Sequence, residues 1–349
     1  MELLIHFGIY KAGSSYIQYL AVNSRETLKD QEVYFPESQH DDKMRSGMIS
    51  PGNASDLRWL LDNKEEEKCI RLFKHWIKEA EHHKCSKVLI SSESLVHALA
   101  TEKGLSTLVR SSDKAGFSNV KAMGFFRDLV DHALSTYKHR AKSGKHKDYK
   151  DWIENVYETP KVLENFFENA QNYPIEWTFR KFKMDSSYMA EAFFKDWLGV
   201  KLTSLPEKPK VNESVTLSEV LLMQEVSRQY PLVTSYFVEA LKELPKESKA
   251  KDKELEEYYR YHAYQFLKQY DKDVQKWNQF FPAKEQLQVV ESIPDAYGDA
   301  FNPQLSLSPE QMKTILQLTN YFDTAKGRFI KGRRLIARSL PAVVKKISC

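Results

Sequence analysis

The stretch Leu3-Leu4-Ile5-His6-Phe7-Gly8-Ile9-Tyr10-Lys11-Ala12-Gly13-Ser14-Ser15-Tyr16 decides how this chain reads. It opens on an apolar run of strand type and passes through a glycine-bearing loop. Ile17, Leu20, Ala21 and Leu28 behind it keep roughly helical spacing. Strand, tight loop and helix in that order make a phosphate cradle. The unpaired N–H groups of the first helical turn, with a dipole equivalent to roughly half an elementary charge, face any anion lodged in the loop. Set against the nucleotide-triphosphate pattern G-x-x-x-x-G-K-[ST], Gly8 and Gly13 are in place. Ser14 stands where the lysine belongs, and Lys11 sits three residues earlier, inside the loop. From there an ammonium reaches a different part of a bound group than the β/γ-phosphates of ATP. The same residues also read as a tight Gly-Ser turn beside an ordinary surface lysine.

Three further runs of strand type follow, Lys87 to Ser91, Val120 to Phe126 and Glu176 to Phe182, separated by helical patterns such as Cys69 to Ala80 and Leu129 to Ala141. This alternation predicts an α/β fold, a parallel β-sheet flanked by helices of the P-loop NTPase-like kind. Ligands of such sheets collect at the carboxyl ends of the strands, here Gly8 to Ser15, Ser91 to Glu93, and Arg127. Asp185-Ser186-Ser187 predicts the cap of a helix running to Leu198 and stopped by Gly199. The α/β domain is expected over residues 1–205, followed by a Pro/Lys linker, Pro206 to Lys210. Thr216-Leu217-Ser218-Glu219 and Ser308-Pro309-Glu310-Gln311 match the capping box. Residues 206–349 are therefore expected to form a helical C-terminal extension packed on the first domain. The charged runs Asn63 to Lys68 and Lys246 to Glu257 read as solvated helix faces or turns.

A chain of 349 residues with this apolar content buries a sizeable core, and its net charge of +4 is too small for a general nucleic-acid binder. Cys69, Cys85 and Cys349 suggest neither a disulfide framework nor a zinc site. No leader of secretory type and no bilayer-length apolar stretch stands out, so a cytoplasmic protein is expected. Basic residues crowd Lys326 to Lys346. There Ile330, Leu335, Ile336 and Leu340 interleave with Lys331, Arg333, Arg334 and Arg338. That pattern suits peripheral contact with a membrane surface, or a basic helix packed on its own domain.

Three constellations carry chemistry. In the loop, Gly13 lets the backbone approach an anion, Ser14 and Ser15 add hydroxyl donors, and Lys11 adds a mobile point charge. Arg127, ending a strand, and Ser135, about two turns into the next helix, suit a second phosphate; alternatively Arg127 pairs with Asp128 or Asp131. Glu93 in Ser91-Ser92-Glu93-Ser94 is placed as a base for an acceptor hydroxyl, with Ser91 or Ser92 also able to cap the next helix. His97 is a partner or substitute base, or structural. Trp152, Tyr157 and Trp177 suit either sugar stacking or core packing.

Together these segments resemble the sulfotransferases that use 3′-phosphoadenosine 5′-phosphosulfate (PAPS), especially their bacterial and carbohydrate-directed branch, over roughly the first two hundred residues. His6-Phe7-Gly8, Lys11-Ala12-Gly13-Ser14-Ser15, Gln18 and Asn23 match the family's H-x-G, K-T-G-T-T and following helix. Val33-Tyr34-Phe35-Pro36 looks like its next segment. Arg127 and Ser135 keep its 3′-phosphate spacing, and Ser92-Glu93 looks like its S-E pair. The resemblance implies the sulfotransferase fold and a PAPS site of Lys11, Ala12, Gly13, Ser14, Ser15, Tyr16, Arg127 and Ser135, needing no metal. It further implies Lys11 and Glu93 as catalytic residues, adenosine 3′,5′-bisphosphate as product, and a carbohydrate or glycan acceptor. Ala12, replacing a threonine of the pattern, removes one hydroxyl. Lys326-Gly327-Arg328 and Lys331-Gly332-Arg333 are weak matches to the family's adenine-side clamp. The other readings are a P-loop kinase-like phosphotransferase, against which the missing Walker lysine argues, and a non-catalytic interaction protein with a basic docking segment.

Overall fold

The computed structural model of the chain describes residues 1–141, 148–202, 205, 215–229, 252–293 and 308–317. Five strands, β1 (Glu2–Gly8), β2 (Val33–Tyr34), β3 (Lys87–Ser91), β4 (Asn119–Phe126) and β5 (Glu176–Lys181), form one all-parallel sheet of order β2-β3-β1-β4-β5. Ile5 of β1 is in register with Ile90 of β3 and Ala122 of β4. Helices flank the sheet, so β1 is buried along nearly its whole length, which is why it reads as an unbroken apolar run. The expected α/β architecture is the one observed. β2 escaped the sequence reading because two residues are too few to show a period.

Between β1 and β4 run α1 (Ser14–Asn23), α2 (Arg25–Asp30), α3 (Asp41–Arg45), α4 (Ser55–Asp62), α5 (Glu66–His82), α6 (Leu95–Leu99) and α7 (Glu102–Ala115). Between β4 and β5 come α8 (Leu129–Ala141), α9 (Tyr149–Asn155) and α10 (Thr159–Ala170). Behind β5, Asp185 caps α11 (Ser186–Ala190) by accepting from the N–H groups of Ser187 at 2.9 Å and Tyr188 at 3.1 Å. The helix expected to run on to Leu198 instead widens into a π-helix, Glu191–Trp197, before Gly199 ends it at φ +69°. A wider turn accommodates two consecutive buried rings, Phe193 and Phe194.

The chain divides into two compact units, and the boundary expected at residue 205 falls inside a segment of the first. The first unit is Met1–His132, Tyr157–Asn212 and Leu267–Glu291. Its core packs Phe7, Phe126, Phe166, Trp177 and Phe179 edge to face beside the sheet. The late segment brings Phe281 to within 5.5 Å of Phe126, centroid to centroid. It also brings Glu285, whose carboxylate takes the Arg180 Nε–H at 2.9 Å and the Lys181 backbone N–H at 3.2 Å.

The second unit is Ala133–Val156, Glu213–Phe266 and Ser292–Cys349. It holds α12 (Leu217–Gln229), most of α13 (Lys253–Leu267) and the helical residues 309–317. Both capping boxes form. Thr216 N–H donates to Glu219 Oε2 at 2.8 Å, and Glu219 N–H to Thr216 Oγ1 at 3.1 Å. Ser308 and Gln311 exchange the same pair of bonds at 2.9 and 3.1 Å. Gln311 Nε2 then donates to Glu219 Oε1 at 2.7 Å, tying one cap to the other. Tyr137, Tyr149 and Tyr259 stack nearby with the buried Trp152.

Lys326 to Lys346 with its two Lys-Gly-Arg triplets, Cys349, and the linker Pro206 to Lys210 lie outside the described residues. Cys69 and Cys85 are buried free thiols, and burial pushes Cys69 up to about 11. Among the described residues no helix is long and apolar enough to cross a membrane, and no His/Cys/Asp/Glu group is arranged for a metal ion.

Candidate functional site

Beyond Gly8 the chain turns into α1 through Lys11 at φ +63° and Gly13 at φ +88°, both in the left-handed region. For a lysine this costs about 1–3 kcal/mol, a strain that clusters at ligand-binding segments. At Gly13 the positive φ disfavours any side chain, and a Cβ there would stand 3.0 Å from Phe182 Cε2 and 2.7 Å from Met189 Cε, whose methyl would have to swing aside. Gly13, the N-cap of α1, brings no side chain to cap that end, and the first turn holds no acidic residue. The Tyr16 and Ile17 N–H groups turn back to the Gly13 carbonyl at 3.0 and 3.2 Å, and the positive end of the helix dipole faces the loop.

Ser14, buried, donates its hydroxyl to Oε2 of Glu93. Glu93 stands between β3 and α6, with its pKa raised by burial and held back by the Ser14 hydrogen bond and the Lys11 charge. Burial lowers the Lys11 pKa; Glu93 opposes that shift, and Arg127 adds to it. Lys11, beyond β1, therefore lies within electrostatic reach of both Glu93 and Arg127, from the carboxyl ends of β3 and β4. The convergence follows from the strand order, since β3 and β4 flank β1.

The Arg127 guanidinium lies 5.4 Å above the Phe182 ring, so Phe182 stands beside both the arginine and Gly13. The competing partner Asp128 is engaged elsewhere, by Lys181 Nζ at 2.7 Å and the Gln288 N–H at 2.8 Å. Ser15 is half-buried in α1, Ala12 is buried, and the Tyr16 hydroxyl meets Ser186, with its pKa raised chiefly by burial. Ser135 is half-buried on α8, in the part of that helix that belongs to the second unit.

Neither Ser91 nor Ser92 caps α6 through its side chain. Ser92 Oγ meets Ser94 Oγ at 3.0 Å, and Ser91 Oγ meets His6 Nδ1 at 2.8 Å. Burial drives His6 down to about 3, so it is neutral. The His97 ring packs 5.8 Å from Tyr10. Trp152, Tyr157 and Trp177 serve packing: the first two are buried, and Trp177 lies against Phe7 and Phe166 with its Nε1–H donated to the Ala170 carbonyl.

Sequence reasoning missed the loop before α4. Asn53 Oδ1 accepts the Ser91 N–H at 2.7 Å and its Nδ2 donates to the Leu89 carbonyl, so the loop continues the edge of β3. A Cβ on Gly52 would stand 1.9 Å from the Ser91 carbonyl oxygen and 2.8 Å from Gln18 Nε2. The Gln18 amide is fully buried one turn beyond Ser14, and among the described residues neither of its polar atoms has a hydrogen-bond partner. Pro51-Gly52-Asn53 marks a turn in the sequence, but nothing there marks where the turn docks. Phe182 and Met189 were likewise invisible as a wall of the loop. Two cations, an uncapped helix end and a glycine cradle fit an anionic group. Comparison of the chain with family models, curated proteins and solved structures finds no match.

Proposed function

We propose that the protein is a PAPS-dependent sulfotransferase, built on the P-loop-like fold of that family, acting in the cytoplasm on a hydroxyl of a carbohydrate or glycan acceptor. The observation that carries this reading is the place of Lys11: inside the loop, left-handed, and electrostatically coupled to Glu93 and Arg127. A kinase-like loop would put its lysine after Gly13, where Ser14 instead turns its hydroxyl to Glu93. When bound, PAPS supplies a sulfuryl group of low charge on a phosphate leaving group. The α1 N–H groups and Lys11 hold the anion and oppose charge building on its oxygens. Arg127, stacked on Phe182, holds a second phosphate, which ATP lacks at that place. Glu93, its basicity raised by burial, takes the proton of the acceptor hydroxyl.

Calorimetric titration tests this. Adenosine 3′,5′-bisphosphate is expected to bind in the micromolar range without added metal, and Arg127→Ala to weaken that binding about a hundredfold. Preference for magnesium-ATP would move the protein to the kinase reading, and binding of neither would favour a non-catalytic role.

A further inference from the structure

The loop that carries Lys11 is gripped by a residue that the sulfotransferase reading does not use. His132 is buried on α8, five residues beyond Arg127. Its Nε2 lies 2.7 Å from the Tyr10 carbonyl oxygen, and its Nδ1 lies 2.7 Å from the Tyr157 hydroxyl. A carbonyl oxygen can only accept, so Nε2 carries the proton. In the neutral ring Nδ1 is then the acceptor, and the Tyr157 hydroxyl donates to it. Tyr157 is itself buried, and its oxygen lies 3.4 Å from the Leu129 carbonyl at the start of α8.

The Tyr10 carbonyl and the Lys11 N–H belong to one rigid peptide plane. Fixing that carbonyl fixes the plane about which the φ angle of Lys11 is measured, and Lys11 is the non-glycine residue of this loop with positive φ, at +63°. Strained backbone persists only where surrounding contacts over-determine it. We propose that His132, oriented by Tyr157, is a positioning residue that clamps the Tyr10–Lys11 peptide and so holds Lys11 in the left-handed conformation that aims its ammonium at the anion site. The Tyr10 carbonyl sets the tautomer of the ring, Tyr157 holds its orientation from the other nitrogen, and the ring holds the backbone of the loop. α8 begins two residues beyond Arg127, which itself follows the end of β4, so the same chain segment supplies one cation and fixes the place of the other.

The test has two independent arms, of which only the second rests on the sulfotransferase reading. In the first, nitrogen NMR of histidine-labelled wild-type protein is expected to show His132 as the Nε2-protonated tautomer. The Lys11 backbone shifts should be of left-handed type, kept in His132→Gln, whose amide can still donate to the carbonyl, and lost in His132→Leu. An Nδ1-protonated ring, or unchanged Lys11 shifts in a folded His132→Leu protein, would overturn the clamp. In the second arm, adenosine 3′,5′-bisphosphate is titrated by calorimetry. His132→Leu is expected to weaken binding about tenfold or more and His132→Gln less than about threefold, with Tyr157→Phe between them. Equal binding by His132→Leu and wild type would also overturn the clamp. If wild-type protein binds no bisphosphate, the sulfotransferase reading falls, and the NMR arm decides the clamp alone.

Discussion

Lys11 and Glu93 are each pushed by burial toward the uncharged form, although each charge partly relieves the other. The sign of the linkage follows. A carboxyl whose folded pKa is raised is most favourable to the fold below its ordinary value of 4.5, and that contribution is lost as pH rises through the folded value. At neutral pH Glu93 thus costs stability. Glu93→Gln is expected to raise the urea midpoint at pH 7, with the gap from wild type closing below about pH 4.5. On the proposed sulfotransferase function, the same substitution is expected to lower turnover about a hundredfold or more. Wild-type turnover in Glu93→Gln would remove Glu93 as the base. At this scale much of the candidate site was legible: Lys11, Ser14, Glu93 and Arg127 stand out by residue type at strand ends. His132, Phe182 and Met189 do not, because a histidine or an apolar residue inside an ordinary pattern becomes part of a site only through contacts far along the chain.

Elements show the same division between local and distant causes. β1, β3 and β4 could be read because both faces are largely buried and apolar residues dominate each run, and both capping boxes could be read because the partners stand three residues apart. The π-helix of Glu191–Trp197 and the β3-extending loop could not, since the first answers to the packing of Phe193 and Phe194 and the second to a backbone across the fold. Gly52, at φ +85° and with no room beside the Ser91 carbonyl, makes the loop testable. Gly52→Ala is expected to cost about 3 kcal/mol in urea unfolding. It should also disturb Glu93, two residues beyond Ser91, more than Lys11. A Gly52→Ala protein as stable as wild type would show that the loop does not dock on β3.

The whole molecule is threaded so that neither unit is one continuous piece of chain. Residues 267–291 return to the first unit late, bringing Phe281 and Glu285 to a sheet completed at residue 181 and Trp277 to Phe167 of α10. The linker composition near Pro206 hides this, because it signals a local break and says nothing of a later return. A fragment ending at Leu205 is therefore expected to lack a cooperative urea transition, whereas the full chain shows one. A fragment as stable as the full chain would make residues 267–291 dispensable to the first unit.

The outer strands of the sheet have one further consequence. β2 is only two residues long and runs directly into Phe35-Pro36, while on β5 the Lys181 N–H is occupied by Glu285. Brevity, a nearby proline and a carboxylate over an edge amide are the means by which natural sheets refuse to add a strand from a neighbouring molecule. The guard on β5, however, arrives a hundred residues after the strand it protects. During synthesis, therefore, the β5 edge lacks this carboxylate until Glu285 has emerged.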